Sequence, residues 1–161
     1  MELFSSSYSS PLGRIKLQCS GTHLVSASFI DTEENWIEDH HSILEQTTLQ
    51  MKAYFEGNLR SFNIPMSQNG TEFQNKVWEL LYGIPYGKTI SYNDLAKQYG
   101  DVKAIRAVAS ANGRNKIAII IPCHRVIGSD RSLTGYAGGL WRKKWLLDHE
   151  AKFHSGVQQL F

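Results

Sequence analysis

The chain has little cysteine and no long apolar run, and each shortage excludes a class of protein. Two cysteines in 161 residues, Cys19 and Cys123, make no disulfide framework, and no CxxC spacing suggests a zinc ribbon or dithiol redox motif. The longest apolar run, residues 117–121, is far below the ~20 residues that span a bilayer. The start, MELFSSSYSS, has an early Glu2 and neither a basic cluster nor an apolar stretch, so it does not read as a secretory signal. Low-complexity tracts are absent as well. The expectation is a reduced, cytoplasmic, non-membrane protein with enough chain for one compact domain or two small ones.

What is present is unevenly charged. The net charge of +2 hides a split: residues 1–87 sum to −5 and residues 88–161 to +7. A basic C-terminal half facing an acidic N-terminal half points to a polyanionic partner, although a solvated basic face would look the same.

Patterning divides the chain near residue 70, into 1–70 and 71–161. Period-2 alternation over residues 13–19 and 23–29, around Gly21-Thr22, predicts a β-hairpin. A helix is expected over 43–56, with Ile43, Leu44, Leu49, Met51, Tyr54 and Phe55 as core positions and Gly57-Asn58 as its stop. Residues 61–70 read as a connector. Thr71-Glu72-Phe73-Gln74 and Ser91-Tyr92-Asn93-Asp94 are capping boxes, each opening a helix. The first should bury Phe73, Val77, Trp78 and Leu81. The second is short, ends before Gly100, and is followed by a further helix over 102–111. Two short helices about a glycine turn have the form of a helix-turn-helix. The second of them is faced with Ala104, Ala107, Ala109, Ser110 and Ala111, and Arg106 stands alone among these small residues. Such a surface suits either close packing on another helix or a narrow groove with one long side chain as a wedge.

The chemistry is concentrated in IAIIIPCHRVIGSD, residues 117–130. A run that reads as a buried strand ends in Pro122 and then Cys123, His124 and Arg125. Only a thiolate is a strong nucleophile, so Cys123 needs a base or a positive field. Neighbours on a strand face opposite ways, so His124 can serve Cys123 only if Pro122 bends the chain or a water links them. Glu150 is the acid available to orient the imidazole, giving a Cys-His-acid relay. An inert buried thiol beside a structural histidine is the alternative.

IPCHRV resembles the active-site signature of the O6-alkylguanine-DNA alkyltransferases. Ile90-Ser91-Tyr92, the KAIRAV block from Lys103, Asn115, the GYAGGL block from Gly135 and the WLLDHE block ending in Glu150 fall in the same order and spacing. The resemblance is strong over 71–150 and loose before that. It implies an α+β protein in two parts: a ribonuclease-H-like antiparallel sheet with a helix, then a mostly helical, winged-helix-like part with a helix-turn-helix.

The resemblance also implies direct-reversal repair of double-stranded DNA, in which O6-alkylguanine is flipped out and its alkyl group passes irreversibly to Cys123. His124 would take the thiol proton through a water, Glu150 would orient it, Tyr92 would serve N3 of the base, and Asn115 would tie the local turns together. Tyr92, Val126, Tyr136, Ala137 and Gly138 would form the substrate pocket, and Arg125 an internal ion pair. Arg106 would fill the gap left by the base in the minor groove, beside Lys103, Ala107, Ser110 and Arg114. A cysteine hydrolase or a lesion binder without chemistry are the rivals; the first lacks an oxyanion motif and the second would lack the thiol. No cofactor and no metal is expected, since residues 1–70 offer only Cys19 with His23, His40 and His41. A monomer is expected in solution.

Three positions depart from many of the relatives. Lys116 stands where proline is common, and Ala118 and Ala137 are small at pocket-lining positions. The tail holding Val157, Leu160 and Phe161 is apolar enough either to pack or to fray.

Overall fold

A computed structural model describes residues 2–155, so the tail residues just named lie outside the described part. The chain divides into two compact units, one of 1–69 with Lys116–Ala118, the other of Gly70–Asn115 with the residues from Ile119 onward.

The first unit is an antiparallel sheet with a helix. Strands β1 (Phe4–Ser10), β2 (Gly13–Cys19) and β3 (Leu24–Ile30) lie in the order β1-β2-β3. The central strand buries Ile15, Leu17 and Cys19 on one face, as its alternation predicts. Strand β1 was not legible: six of its seven residues are serine or tyrosine rather than aliphatic. Helix α1 (Ser42–Phe55) buries Ile43, Leu44, Met51 and Tyr54. Leu49, expected in the core, is 68% exposed, and Phe55 is only half-buried. Short parallel bridges extend the sheet beyond β3, joining Leu24 to Met66 and Ala27 to Ile117. The second explains why residues 116–118 belong to this unit: Ala27 N–H donates to Lys116 O at 2.9 Å and Ala118 N–H to Ala27 O at 3.0 Å. The Lys116 N–H donates to Gln68 Oε1 at 2.8 Å, a bond that proline could not make.

The second unit is mostly helical. Helices α2 (Glu72–Tyr82) and α3 (Tyr92–Tyr99) begin with reciprocal capping boxes at the predicted residues, Thr71 with Gln74 and Ser91 with Asp94. Gly100, at φ 110°, closes α3 in the left-handed conformation that glycine accepts at little cost. The next helix begins as a 3-10 turn, Val102–Ala104, and continues as α4 (Ile105–Gly113). Trp78 of α2 buries its indole against α4 and donates to Ala111 O at 2.9 Å. Phe73, expected in the core, is half-buried against the edge of the Tyr99 ring. Strand β4 (Ile90–Ser91) pairs in parallel with β5 (Val126–Ile127), and α5 (Leu140–Ser155) follows. No described helix is long and apolar enough to cross a membrane.

Candidate active site

The segment that reads as a strand before Cys123 is not one. After the bridge at Ile117 the backbone reverses at Ile119, whose φ of 72° is rare for a β-branched residue. Pro122 then leads into a 3-10 helix, Cys123–Arg125, with the Cys123 N–H on Ile121 O at 2.8 Å and the Arg125 N–H on Pro122 O at 3.0 Å. With about three residues per turn, such a helix sends three successive side chains in three directions. Cys123 is therefore freed from the face that a strand would make it share with Arg125, and the adjacent His124 and Arg125 can reach one partner, which strand alternation would not allow.

Two of those side chains converge on one carboxylate. Glu150, buried on α5, lies 2.7 Å from His124 Nε2 through Oε2, and accepts from Arg125 Nε at 2.8 Å and Nη2 at 3.0 Å. Gly87 N–H adds a longer bond of 3.3 Å to Oε1. Burial would push the Glu150 carboxyl up, but the hydrogen bonds from His124 and Arg125 and the Arg125 charge hold it well below the usual carboxylate range. An ionised carboxylate only accepts, so the shared hydrogen sits on His124 Nε2 and the free lone pair on Nδ1. That Nδ1 is buried and has no hydrogen-bond partner. Burial, only partly opposed by Glu150, pushes the imidazole below its ordinary range, so it rests neutral and able to accept a proton. Arg125 is the internal ion-pair residue expected; its Nη1 donates to Ile84 O at 2.7 Å.

Cys123 is buried, and burial raises its thiol above the ordinary value while the Asn115 side chain and the Lys143 charge pull it down. Asn115 Nδ2 donates to Ile121 O at 2.8 Å, tying the end of α4 to the turn that carries the thiol. A second amide, Asn112, reaches toward Cys123 O at 3.5 Å. Tyr92, at the start of α3, donates its hydroxyl to Thr134 O at 3.1 Å, and burial raises it above the ordinary tyrosine range. The Tyr136 hydroxyl is buried, lacks a hydrogen-bond partner, and is pushed well up by burial and by Cys123. Gly138 O accepts from Arg142 Nη1 at 3.0 Å.

Cys123, His124, Glu150, Asn115 and Tyr92 thus belong to one site. Val126 is buried beside it, but its N–H is taken by Cys123 O. Ala137 is exposed in the loop before α5. Lys103, Arg106, Ala107, Ser110 and Arg114 are all exposed, on or flanking α4. Sequence reasoning missed Asn112, Arg142 and Lys143. Lys143 did carry a signal: it precedes the buried Leu146 and Glu150 by three and seven residues, the spacing of one helix face.

The chain is similar to known proteins over most of its length. Residues 3–68 match the ribonuclease-like domain of 6-O-methylguanine DNA methyltransferase, and residues 72–152 match its DNA binding domain. Methylated-DNA--protein-cysteine methyltransferase of Methanosarcina acetivorans is 44% identical over 149 residues, covering 89% of this chain and 95% of the relative. The Mycobacterium leprae protein of the same name is also 44% identical, covering 89% and 90%. The crystal structure of Mycobacterium tuberculosis O6-methylguanine methyltransferase superposes with a TM-score of 0.86 at 40% identity, covering 94% of each chain. A structure of the M. tuberculosis protein in complex with DNA gives 0.86 at 41% identity, covering 93% of this chain and 94% of that one. The fold and the site define a two-part α+β protein in which a buried cysteine precedes a histidine paired with a carboxylate. The chain belongs to the 6-O-methylguanine DNA methyltransferase family.

Proposed function

We propose that this chain is a direct-reversal DNA repair protein that takes the alkyl group of O6-alkylguanine onto Cys123 in a single, irreversible turnover. The observation that carries the reading is the buried relay: an ionised Glu150 fixes the His124 hydrogen on Nε2 and leaves Nδ1 as the base. Burial holds Cys123 toward its thiol form, so a base must help to generate the thiolate that attacks the alkyl carbon. His124 takes the thiol proton through a bridging water. The sulfur–carbon bond then forms as the carbon–O6 bond breaks, and guanine leaves with the electron pair. In the net reaction the hydrogen lost from sulfur is the hydrogen gained by guanine. The thioether product has no neighbouring group able to reverse it, so one protein repairs one base.

A base inside a duplex cannot meet a buried thiol, so the target nucleotide must be rotated out of the stack. The exposed Arg106, among the small residues Ala107 and Ser110, supports a minor-groove approach in which its guanidinium occupies the vacated space. Lys103 and Arg114 serve the phosphates. Tyr92 meets N3 of the flipped base, and Val126, Tyr136, Ala137 and Gly138 line its pocket. Residues 1–70 act as a scaffold, and residues 71–161 carry the chemistry. The protein works as a monomer, and its two free cysteines support the reducing cytoplasm as its compartment.

The test is the intact mass after exposure to a duplex carrying one O6-methylguanine, with Cys123→Ala beside it. A stoichiometric gain of one methylene unit, absent from the variant, is expected. Tight lesion binding by both proteins without a mass gain would make this a damage sensor instead.

A further inference from the structure

Lys143 lies on the buried face of α5 with no accessible surface. Its Nζ donates to Thr134 O at 2.8 Å and Gly135 O at 3.3 Å, and it forms no ion pair with a carboxylate among the described residues. Glu150, one helical face further along, is already engaged by His124 and Arg125. Thr134 O also accepts the Tyr92 hydroxyl, and Lys143 Nζ lies 5.7 Å from the Tyr92 ring centroid. An ammonium buried against neutral carbonyls is unfavourable unless an anion compensates it. If its only task were to fasten the loop at 134–135, an uncharged donor would do so without that burden.

We infer that Lys143 is the counter-charge for the anion that arises during alkyl transfer: first the Cys123 thiolate, then the departing guanine beside Tyr92. This rests on the reading of Cys123 as the alkyl acceptor. The lysine gives up no proton. Negative charge appears on sulfur when His124 accepts the thiol hydrogen, passes to the purine as the carbon–O6 bond breaks, and disappears when guanine is protonated. Lys143 remains a fixed cation throughout, stabilising the reacting anion in a site of low dielectric constant. The thiol and the amine influence each other in the directions this requires. Burial lowers Lys143 to about 8, the Cys123 charge raises it, and the Lys143 charge in turn lowers Cys123. The other titratable or charged groups sharing this site are His124 and Arg125 on the same turn as Cys123, Tyr92 on α3, Tyr136 in the loop, and Arg142 and Glu150 on α5. Lys143 is accordingly a positioning residue acting by charge.

The discriminating variant is Lys143→Gln, which keeps donors for the two carbonyls and removes the charge; Lys143→Arg restores it. The measurement is the pH dependence of iodoacetamide modification of Cys123 without DNA, read on the Cys123 peptide so that Cys19 does not contribute. Single-turnover transfer from an O6-methylguanine duplex is measured beside it. Expected for the glutamine variant are an upward shift of the thiol profile by about one unit and transfer slowed by at least about tenfold, each largely recovered with arginine. A folded glutamine variant with an unchanged profile and an unchanged transfer rate would overturn the inference. If that variant does not fold, the arginine variant still decides: its fixed charge should keep the thiol profile and the transfer rate close to those of the parent, and a profile shifted upward by about one unit in a folded arginine variant would refute the coupling. Because the thiol titration needs no DNA, a shifted profile with no methyl transfer would refute the repair reading and not the electrostatic one.

Discussion

His124 and Glu150 meet at 2.7 Å, both buried, with the hydrogen on the imidazole nitrogen that faces the carboxylate. Replacing that carboxylate by an amide separates orientation from charge. Glu150→Gln can still accept through its oxygen, but its NH2 can also donate, and then Nδ1 rather than Nε2 would carry the hydrogen. Transfer of the alkyl group should slow by on the order of 10²–10⁴-fold, the usual weight of general-base assistance. Because Arg125 would lose its anion, stability should also fall, by about 3–5 kcal/mol if no new partner is found. Single-turnover kinetics and urea denaturation measure the two effects separately. A full-speed variant would remove His124 from the relay.

The same pair sets the acid sensitivity. Both folded-state pKa values lie below their unfolded counterparts, His124 chiefly through burial and Glu150 through its hydrogen bonds to His124 and Arg125 and the Arg125 charge. The unfolded chain therefore binds more protons, and stability must decrease as pH falls. The His124 contribution is present above about 6.5 and declines below that, and the Glu150 contribution follows below about 4.5. Denaturation midpoints measured between pH 7.5 and 5 isolate the histidine, because carboxylates titrate lower. The midpoint should drop across this range; a flat or rising profile would mean that His124 is protonated in the folded protein.

Local rules made most of the second unit legible. The capping boxes at Thr71 and Ser91 and the glycine stop at Gly100 depend on neighbouring residues alone, so sequence carries them fully. The turn bearing Cys123 depends on more distant partners. Residues 117–121 have the composition of a strand, but only Ile117 bridges to Ala27 before Ile119 takes its positive φ. Nothing in five consecutive apolar residues announces that reversal. Leu49 failed for a plainer reason: it lies two residues after Thr47 and two before Met51, so at about 100° per residue it points away from the face those residues bury. In the site, the motif residues were legible, but Lys143 was masked by Arg142 and Lys144, which make a basic run that reads as solvated. Lys144 is solvated, pairing with Asp148 at 2.6 Å, and Lys143 one residue earlier is not.

Arg106 should matter only when a base must leave a duplex. It is exposed near the start of α4 and is not among the groups around Cys123. Arg106→Ala should slow repair of O6-methylguanine in a duplex by on the order of 10–100-fold, in line with the few kcal/mol of unstacking it would help to offset. Reaction with the free base O6-methylguanine should keep its rate. Comparing the two substrates checks this, and equal slowing of both would place Arg106 in folding or chemistry instead.

Gly87 joins the turn before β4 to the carboxylate end of α5, and its lack of a side chain is needed twice. Its φ of 76° suits glycine, and a Cβ there would meet the Cβ and Cγ of His154 at 2.5 Å, too close for any real contact. Its N–H also reaches Glu150 Oε1 at 3.3 Å. Gly87→Ala should therefore cost about 1–2 kcal/mol from the backbone alone. Relief of the His154 contact must come from the last turns of α5, which moves the helix that carries Glu150. Adding His154→Ala does not remove the Cβ contact, so that double variant should recover little, whereas His154→Gly should recover part of the stability and leave the backbone strain. Thermal midpoints of the three variants, with the transfer rate of each, measure how far the relay depends on the seating of α5. A Gly87→Ala protein matching the parent in both would show that the turn at 87 has no part in holding Glu150.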